Sequence, residues 1–354
     1  MKKNRLSRRD VLRVSGGLAG YALMTRVVSA AEASAITPQR IEAAKKEGKI
    51  VWYTAVDIGV AEKVGKAFEA KYPGVSVRVE RSGAERIFQR IGQEYSANIH
   101  TADVINSSDA GHFIIWKQSG WLASYLPEDV AKNYPTEQHD ADAMYASWRV
   151  SLTPMGYNTN LVKKEEAPKS YADILDPKWA GKIVKAHPSY SGTILTSTFE
   201  MVRDMGGWTY FEKLAKQRIL QVQSSTEPPK KLALGERALM ADGNEYNLLL
   251  LKDQGAPVEA IYPTEGTPLV VGPSAVLKNA PNPNAARLFQ SYLFTAESQQ
   301  MLVDVGDLRS FHRQVKEKSG HMPISQIKLM KEDPAGVVKQ MEDIKERYSK
   351  LFGT

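Results

Sequence analysis

The 354-residue chain contains no cysteine. It therefore has no disulfide scaffold, no cysteine-ligated zinc or iron–sulfur site and no thiol nucleophile. No run of about eighteen apolar residues occurs, so no membrane-spanning helix is predicted for the mature protein. Histidine is scarce, with six residues scattered along the chain, and a histidine-rich metal centre is not expected. Hydrophobic residues make up 42%, a composition typical of a globular protein, and the length suits two domains of roughly 100–200 residues each.

The net charge of +7 is concentrated at the N-terminal end. The first thirty residues hold seven lysines and arginines and one aspartate, which leaves a net charge of +1 for the remainder. A near-neutral remainder gives no electrostatic reason to expect a nucleic-acid partner, because nucleic-acid binding depends on excess basic charge.

The first thirty residues have the pattern of an export signal. The run Ser7-Arg-Arg-Asp-Val-Leu-Arg13 precedes a short, weakly apolar stretch, Val14–Thr25, and small residues follow at Val28-Ser-Ala30. The adjacent arginines resemble the twin-arginine translocation signal, and Arg26 behind the apolar stretch fits that route. We therefore predict cleavage between positions 30 and 35 and a periplasmic mature protein. An uncleaved amphipathic anchor is the alternative, although the apolar stretch is short for a bilayer.

Strand and helix patterns alternate from about Ile36 onward. Lys49–Ala55 is a β-branched and aromatic run typical of a buried strand, and Val75–Val79 alternates apolar with polar residues. Ala102–Asn106 is a third strand, and apolar residues at helical spacing separate the strands. This repetition predicts an α/β fold with a parallel sheet covered by helices on both faces.

A second α/β region starts near Lys182. Two extended stretches, Arg149–Thr153 and Thr264–Pro268, are predicted to cross between the two regions. The predicted segments are a first lobe of residues 36–149 and 268–319, a second lobe of residues 154–264 and a C-terminal helical segment of residues 320–354. Two such lobes enclose a cleft, and ligands of open α/β sheets lie beyond the carboxyl ends of the strands. The residues directly after each strand are therefore the candidates for a ligand site.

Several runs match the pattern of one known protein family. They include Leu175–Ile183, with the sequence LDPKWAGKI, and Tyr262–Pro268 followed by Val271-Gly-Pro273. The first run resembles the start of the second lobe of periplasmic solute-binding proteins, and the second resembles their return crossing. Ala286–Phe289 and Ser298–Leu302 resemble the helices that follow. The resemblance covers most of the mature chain and is to the ferric-ion and phosphonate-type branch. It implies a type II periplasmic binding protein fold, in which two α/β lobes joined by two extended crossings close on one small ligand.

The resemblance implies a non-catalytic, exported receptor that delivers its ligand to the permease of an ABC-type importer. We expect a monomer without a resident cofactor. An exported enzyme is the alternative from another class, although the chain lacks the Gly-x-Ser-x-Gly, His-Glu-x-x-His and Gly-x-x-x-x-Gly-Lys-Ser/Thr motifs. A ligand-sensing partner of a membrane signalling protein is a further alternative, because it uses the same two-lobed clamp.

Polar residues after the predicted strands are the first candidate ligand residues. In the first lobe they are Thr54 and Asp57 after the first strand and Ser107, Ser108 and Asp109 after the third. In the second lobe Ser191, Gly192 and Thr193 begin a helix, whose free amides and positive dipole end suit an anion. Capping of the following helix is the alternative role for these residues.

Asn244, Glu245 and Tyr246 follow another strand and begin the next helix, so we expect them to face the cleft. In ferric-binding relatives a pair of adjacent tyrosines at this place supplies phenolates, which suit a hard cation. Tyr246 corresponds in position to the second tyrosine of that pair, and Glu245 corresponds to the first. The relatives also have a histidine after the first strand and a glutamate after the third, and this chain has neither. The resemblance makes Tyr246 and Glu245 the metal ligands if the cargo is ferric ion. We rank a small oxyanion, such as a phosphonate, sugar phosphate or carboxylate, ahead of ferric ion.

Overall fold

The structure, a computed structural model, describes residues 33–354 of the chain. The predicted signal segment lies outside the described residues. Among the helices of the described part, none combines the length and the apolar character that crossing a membrane requires.

The helices and strands follow the chain in three passages. The first passage comprises α1 (Pro38–Glu47), β1 (Lys49–Thr54), α2 (Ile58–Lys71), β2 (Ser76–Arg81), α3 (Ala84–Ser96), β3 (Val104–Asn106), α4 (Ala110–Gln118), α5 (Glu128–Asn133) and β4 (Ala146–Leu152). The second comprises β5 (Met155–Asn158), β6 (Ile183–Ala186), α6 (Gly192–Asp204), α7 (Thr209–Leu214), β7 (Leu220–Val222), α8 (Glu227–Ala233), β8 (Leu239–Met240), α9 (Glu245–Asp253) and β9 (Val258–Ile261). The third comprises β10 (Thr267–Val276), α10 (Pro283–Leu293), α11 (Ala296–Gly306), β11 (Leu329–Met330) and α12 (Pro334–Phe352).

The first and third passages share one sheet, with the strand order β11-β10-β3-β1-β2 and with β4 also paired to β10. The strand β1 lies parallel to β2 and β3, as expected for strands joined by helices. By contrast, β10 runs antiparallel to both β3 and β4. The sheet is therefore mixed rather than parallel throughout, because the returning chain enters it in the opposite direction.

The second passage forms the other sheet, with the order β7-β6-β8-β5-β9. The chain passes between the sheets at Thr153–Pro154, after β4, and again between Ile261 and Thr267. The stretch predicted as the first crossing, Arg149–Thr153, lies mostly inside β4 and so belongs to the first sheet. Its residues pair with β10, which is why they are extended.

Both faces of the first sheet are buried. Trp52 and Val104 pack into one apolar cluster, whereas the next residues along the chain, Tyr53 and Ile105, pack into another. Successive side chains of a strand point to opposite faces, so a strand covered on both sides needs a continuous apolar run. This requirement explains the sequence of β1.

The C-terminal helix α12 packs against the core of the second lobe through Val337, Met341, Ile344 and Tyr348. Their spacing of three and four residues places them on one face of the helix. The segment predicted to be helical from Gly320 becomes helical only at Pro334, because β11 precedes α12 and pairs with the start of β10.

Glycine at position 336 allows α12 to approach α6 closely. A Cβ atom there would lie 2.5 Å from Cζ of Phe199. We expect Gly336→Ala to lower the free energy of unfolding by about 1–3 kcal/mol, the usual cost of overpacking. Gly92→Ala, in α3 with no neighbouring atom within 4 Å, is the matched control and should raise stability by about 0.5–1 kcal/mol. Urea unfolding measures both, and an unchanged midpoint for Gly336→Ala would contradict the packing.

Two carboxyl groups, the buried Glu200 and the half-buried Glu332, cap the edge of β10 that faces away from β4. This strand pairs with β11 at Thr267–Pro268 and with β3 only from Ser274 onward. Between these pairings the amide of Leu269 donates to Glu200 at 3.1 Å, and the amide of Val271 donates to Glu332 at 3.3 Å. Burial raises the pKa of Glu332 to about 7, and it raises the pKa of Glu200 well above its usual value.

The raised pKa of Glu332 predicts a pH-dependent stability. Between its unfolded value of 4.5 and its folded value of about 7, the folded state binds more protons than the unfolded state. Stability contributed by this group is therefore lost as the pH rises through that window. We expect Glu332→Gln to flatten the decline in unfolding free energy measured from about pH 5 to about pH 8. The exposed Glu42→Gln is the control, and equal slopes in both variants would refute the assignment.

Candidate ligand-binding site

Thr54 and Asn106 end two neighbouring strands of the first sheet and form a buried floor. The hydroxyl of Thr54 donates to Oδ1 of Asn106 at 3.0 Å, and it also accepts from the amide of Val56. The side-chain amide of Asn106 donates to the carbonyl of Pro273 at 2.7 Å. The predicted ligand residue Thr54 therefore has its hydroxyl engaged within the protein, and these contacts favour a role in shaping the floor.

Asp57 and Asp109 cap the helices that follow β1 and β3. Oδ1 of Asp57 accepts from the amide of Gly59 at 2.9 Å, and Oδ1 of Asp109 accepts from the amide of Gly111 at 2.8 Å. Capping was the alternative weighed for both residues, and the structure shows it. Each carboxylate keeps a second oxygen, so a ligand role for either residue stays a prediction.

The other predicted residues of the loop after β3 are also buried. The hydroxyl of Ser107 lies 3.3 Å from Nδ1 of His112, and Ser108 is 5% exposed. Both side chains lie at the carboxyl end of β3, where the sequence placed them, and their predicted role in ligand binding stays a prediction.

The start of α6 brings the second lobe against the first. Ser191 caps this helix by accepting from the amide of Ile194 at 3.4 Å, and Thr193 is buried. A Cβ atom at Gly192 would lie 2.6 Å from Cβ of Asp109, so any larger residue would force the lobes apart. Gly192 and Asp109, predicted separately, are therefore brought together in a closed arrangement.

Tyr246 joins the two lobes at the start of α9. Its side chain is 1% exposed, and its hydroxyl accepts from the amide of Asp57 at 3.1 Å. Burial raises the pKa of Tyr246, and the positive charge of Arg149 opposes that rise. The neighbouring Asn244 donates from Nδ2 to Asn247, while its Oδ1 is buried without a hydrogen-bond partner.

Glu245 points away from this group. Both of its carboxylate oxygens accept from the guanidinium of Arg309, at 2.8 and 2.9 Å, and Tyr262 donates to one of them at 2.6 Å. A bidentate pair of this kind is strong and geometrically specific. Arg309 occupies the carboxylate of Glu245 in this arrangement, and the role of Glu245 as a ligand or metal-binding residue stays a prediction.

Arg149 was not among the predicted site residues, yet it lies beside Tyr246. It is 2% exposed in the middle of β4, and its side chain lies flat across Gly272 of β10. A Cβ atom at position 272 would be 2.9 Å from Cγ and Nε of Arg149. Nη1 donates to Oγ of Ser151 at 3.1 Å, while Nε has no hydrogen-bond partner. A charged residue between the buried Trp148 and Val150 was the signal that could have identified it.

Arg149 carries a buried positive charge without a negative partner. Within residues 33–354 no carboxylate forms an ion pair with it. Burial lowers the pKa of Arg149; Tyr246 opposes this effect, and the charge of Arg81 adds to it. Burying an unpaired charge is costly unless a group of opposite charge compensates for it.

Further hydrogen bonds join the two lobes at the rim of the cleft. Arg86 donates to the side-chain oxygen of Gln223 at 2.8 Å, and Arg81 donates to the hydroxyl of Ser224 at 3.4 Å. These groups are long, polar and partly exposed, so the contacts can break when the lobes separate. Together with the Asp57–Tyr246 contact, they describe a clamp in its closed form.

Removing the hydroxyl of Tyr246 should weaken ligand binding while leaving the fold intact. Tyr246→Phe leaves the amide of Asp57 unpaired in the closed form, at a cost of about 1 kcal/mol or roughly five-fold in the dissociation constant. Isothermal titration calorimetry with a ligand that the wild-type protein binds measures the change in the dissociation constant. Tyr95→Phe removes a comparable hydrogen bond, to the carbonyl of Trp121, and should leave affinity unchanged. Equal affinity in both variants would remove Tyr246 from the site.

Known proteins match this chain over most of its length. The profile of bacterial extracellular solute-binding proteins matches residues 63–326. An uncharacterized protein of Haemophilus influenzae is 27% identical over 280 residues, which cover 75% of this chain and 78% of that protein. Iron uptake protein A1 of Synechocystis is 24% identical over 242 residues, which cover 65% of this chain and 66% of that protein.

A solved structure shares the two-lobed architecture. The periplasmic binding protein AfuA from Actinobacillus pleuropneumoniae, with exogenous fructose-6-phosphate bound, superimposes with a TM-score of 0.80 and 24% identity. The superposition covers 86% of this chain and 99% of that one. The type II periplasmic binding protein fold expected from the sequence is thereby confirmed.

Proposed function

Because the chain belongs to the family of bacterial extracellular solute-binding proteins, we propose that it is an exported, non-catalytic receptor for one small oxyanion. It binds the ligand between its two lobes and delivers it to the permease of an ABC-type importer. The twin-arginine pattern at the N-terminus supports export to the periplasm in a folded form. We propose that the receptor acts as a monomer and, being non-catalytic, needs no catalytic cofactor.

The buried charge of Arg149 is the observation that carries the anion assignment. The guanidinium has a free Nε–H, and the hydroxyl of Tyr246 lies close enough to interact with it electrostatically. A guanidinium binds phosphate or carboxylate oxygens in a planar, directional way. An oxyanion seated at Arg149 would supply the missing negative charge and would complete the hydrogen bonds of the side chain.

The ligand class is a phosphonate, sugar phosphate or carboxylate. The structural relative AfuA was solved with fructose-6-phosphate bound, which supports a phosphate ester as the first compound to test. The hydroxyl-rich loops after β3 and before α6 offer additional donors at the same cleft, which suits an anion with polar substituents.

Ferric ion is the second candidate, and the relative named iron uptake protein A1 supports it. A hard trivalent cation needs several anionic oxygen donors. Tyr246 is available as one donor, but Glu245 is engaged by Arg309, and the nearby cationic Arg149 repels a metal ion. Ferric ion would therefore require an accompanying anion at Arg149.

Ligand binding would stabilise the closed clamp. The contact between Asp57 and Tyr246 and the contact between Gly192 and Asp109 form only when the lobes meet. Moving such an equilibrium from mostly open to mostly closed takes about 5.5 kcal/mol of differential affinity. A permease that recognises the closed surface would then distinguish loaded from empty receptor. A membrane signalling protein that used this chain as its ligand sensor would recognise the same difference between the open and the closed form. An enzyme would instead convert the bound ligand into a product.

Replacement of Arg149 by methionine should have opposite effects on affinity and on stability. We expect Arg149→Met to weaken oxyanion binding by roughly 10- to 100-fold, because hydrogen bonds to charged groups contribute about 1.5–3 kcal/mol. The ligand-free variant should be more stable than the wild type, because a buried unpaired charge is removed. Arg78→Met, at a side chain that is 72% exposed, is the matched control and should change neither quantity. A less stable ligand-free variant with unchanged affinity would contradict the proposal.

A thermal-shift panel on protein stripped of bound ligand by unfolding and refolding identifies the ligand. Fructose 6-phosphate, methylphosphonate, citrate and ferric citrate are compared. A ligand that binds only the folded state adds about 2.7 kcal/mol at a hundred times its dissociation constant. A shift with the phosphate ester or with citrate alone supports an oxyanion. A shift with ferric citrate only, accompanied by tyrosinate colour that Tyr246→Phe abolishes, would replace the oxyanion with ferric ion.

A further inference from the structure

Three buried side chains of the first lobe converge beside the cleft. Nε2 of His112 lies 3.1 Å from Oε1 of Glu85 and 3.5 Å from Oδ2 of Asp109. One donor atom from each residue lies within 4.8 Å of the other two. Glu85 comes from α3, His112 from α4 and Asp109 from the N-cap of α4, so the group exists only because these helices pack together.

None of these three potential metal-binding atoms has a regular hydrogen bond to another atom of the described residues. Oε1 of Glu85, Oδ2 of Asp109 and Nε2 of His112 are buried and have no regular hydrogen bond, although they lie within ion-pair distance of one another. Buried polar atoms in native proteins nearly always have a partner. Three such atoms aimed at one point indicate a group that binds all of them.

The opposite atoms of the same side chains are held in place. Nδ1 of His112 lies 3.3 Å from the hydroxyl of Ser107, and the ring stacks on Phe88 with centroids 4.4 Å apart. Lys345 of α12 binds Oε2, the far oxygen of Glu85, at 2.8 Å, and Oδ1 of Asp109 caps α4. Outer contacts of this kind orient the ligands of a metal ion.

The separations fit a metal ion. Ligand atoms at 2.0–2.1 Å from a tetrahedral zinc ion lie about 3.3 Å from one another, and the observed distances of 3.1 and 3.5 Å bracket that value. Imidazole nitrogen and carboxylate oxygen are both zinc ligands, and a site with three protein ligands leaves the fourth position to water. We propose that Glu85, Asp109 and His112 bind one divalent transition-metal ion, distinct from the transported ligand.

A proton on His112 is the competing occupant. The ammonium of Lys345 balances one carboxylate, and either a metal ion or an imidazolium can balance the other. Burial lowers the pKa of His112, but the charges of Asp109 and Glu85 outweigh burial and raise it overall. Metal must therefore displace this proton, and binding strengthens as the pH rises.

A second group of similar composition provides the internal control. Asp253, Asp307 and His321 also bring donor atoms within 4.8 Å of one another. There, however, the ammonium of Lys318 lies 2.6 Å from both aspartates and already serves as the cation. In the group formed by Glu85, Asp109 and His112, by contrast, the ammonium of Lys345 binds Oε2 of Glu85, which is not one of the three converging atoms.

Zinc binding to chelator-treated protein tests the proposal. The protein is dialysed against zinc chloride at pH values of about 6 and about 8, and the bound metal is counted by elemental analysis. We expect one zinc ion per chain at the higher pH, less at the lower pH, and a rise in unfolding temperature on zinc addition. Glu85→Gln and His112→Asn should lose both the metal and the thermal shift, whereas His321→Asn should retain them.

Two results would overturn the proposal. If the wild-type protein takes up no stoichiometric zinc at the higher pH, the proton occupies the group. If Glu85→Gln keeps its zinc, or His321→Asn loses it, the metal lies elsewhere. Circular dichroism verifies the fold of each variant, and Glu85→Gln, which preserves the side-chain volume, carries the test if His112→Asn does not fold.

Discussion

The buried guanidinium of Arg149 is the constraint on which the cleft depends. Its charge is removed from water without a carboxylate partner, a situation that costs several kcal/mol unless a ligand compensates for it. Gly272 permits this placement, because any side chain at that position would displace the arginine. The proposed anionic ligand would therefore complete the electrostatic balance of the closed protein.

Specific contacts between the lobes hold the closed arrangement together. The bond between Tyr246 and the amide of Asp57 and the close approach of Gly192 to Asp109 lie at the cleft. Farther from it, α12 packs on the second lobe while Lys345 reaches Glu85 of the first. Because closure brings polar groups of both lobes together at the cleft, it can respond to the binding of one small molecule.

Sequence patterns identified most of the scaffold and part of the site. The strand predicted at Lys49–Ala55 is observed as Lys49–Thr54, and the residues predicted after β3 lie at its buried end. The family resemblance is confirmed by the match over residues 63–326. Two features of the charged residues were not predicted from the sequence. One is the ion pair of Glu245 with Arg309, and the other is Arg149, which lies within an apolar strand.

The alternation of strands and helices and the caps at helix starts could be recognised in the sequence, because they depend on residues close together in the chain. The partner of each buried charge could not be recognised in the sequence. Arg309 lies 64 positions from Glu245, and Gly272 meets Arg149 only because β10 returns beside β4. Which carboxylate is neutralised, and which arginine remains free for a ligand, depends on how the chain packs. Electrostatic energies in a buried cleft change with distances of a few ångströms, and folding sets those distances.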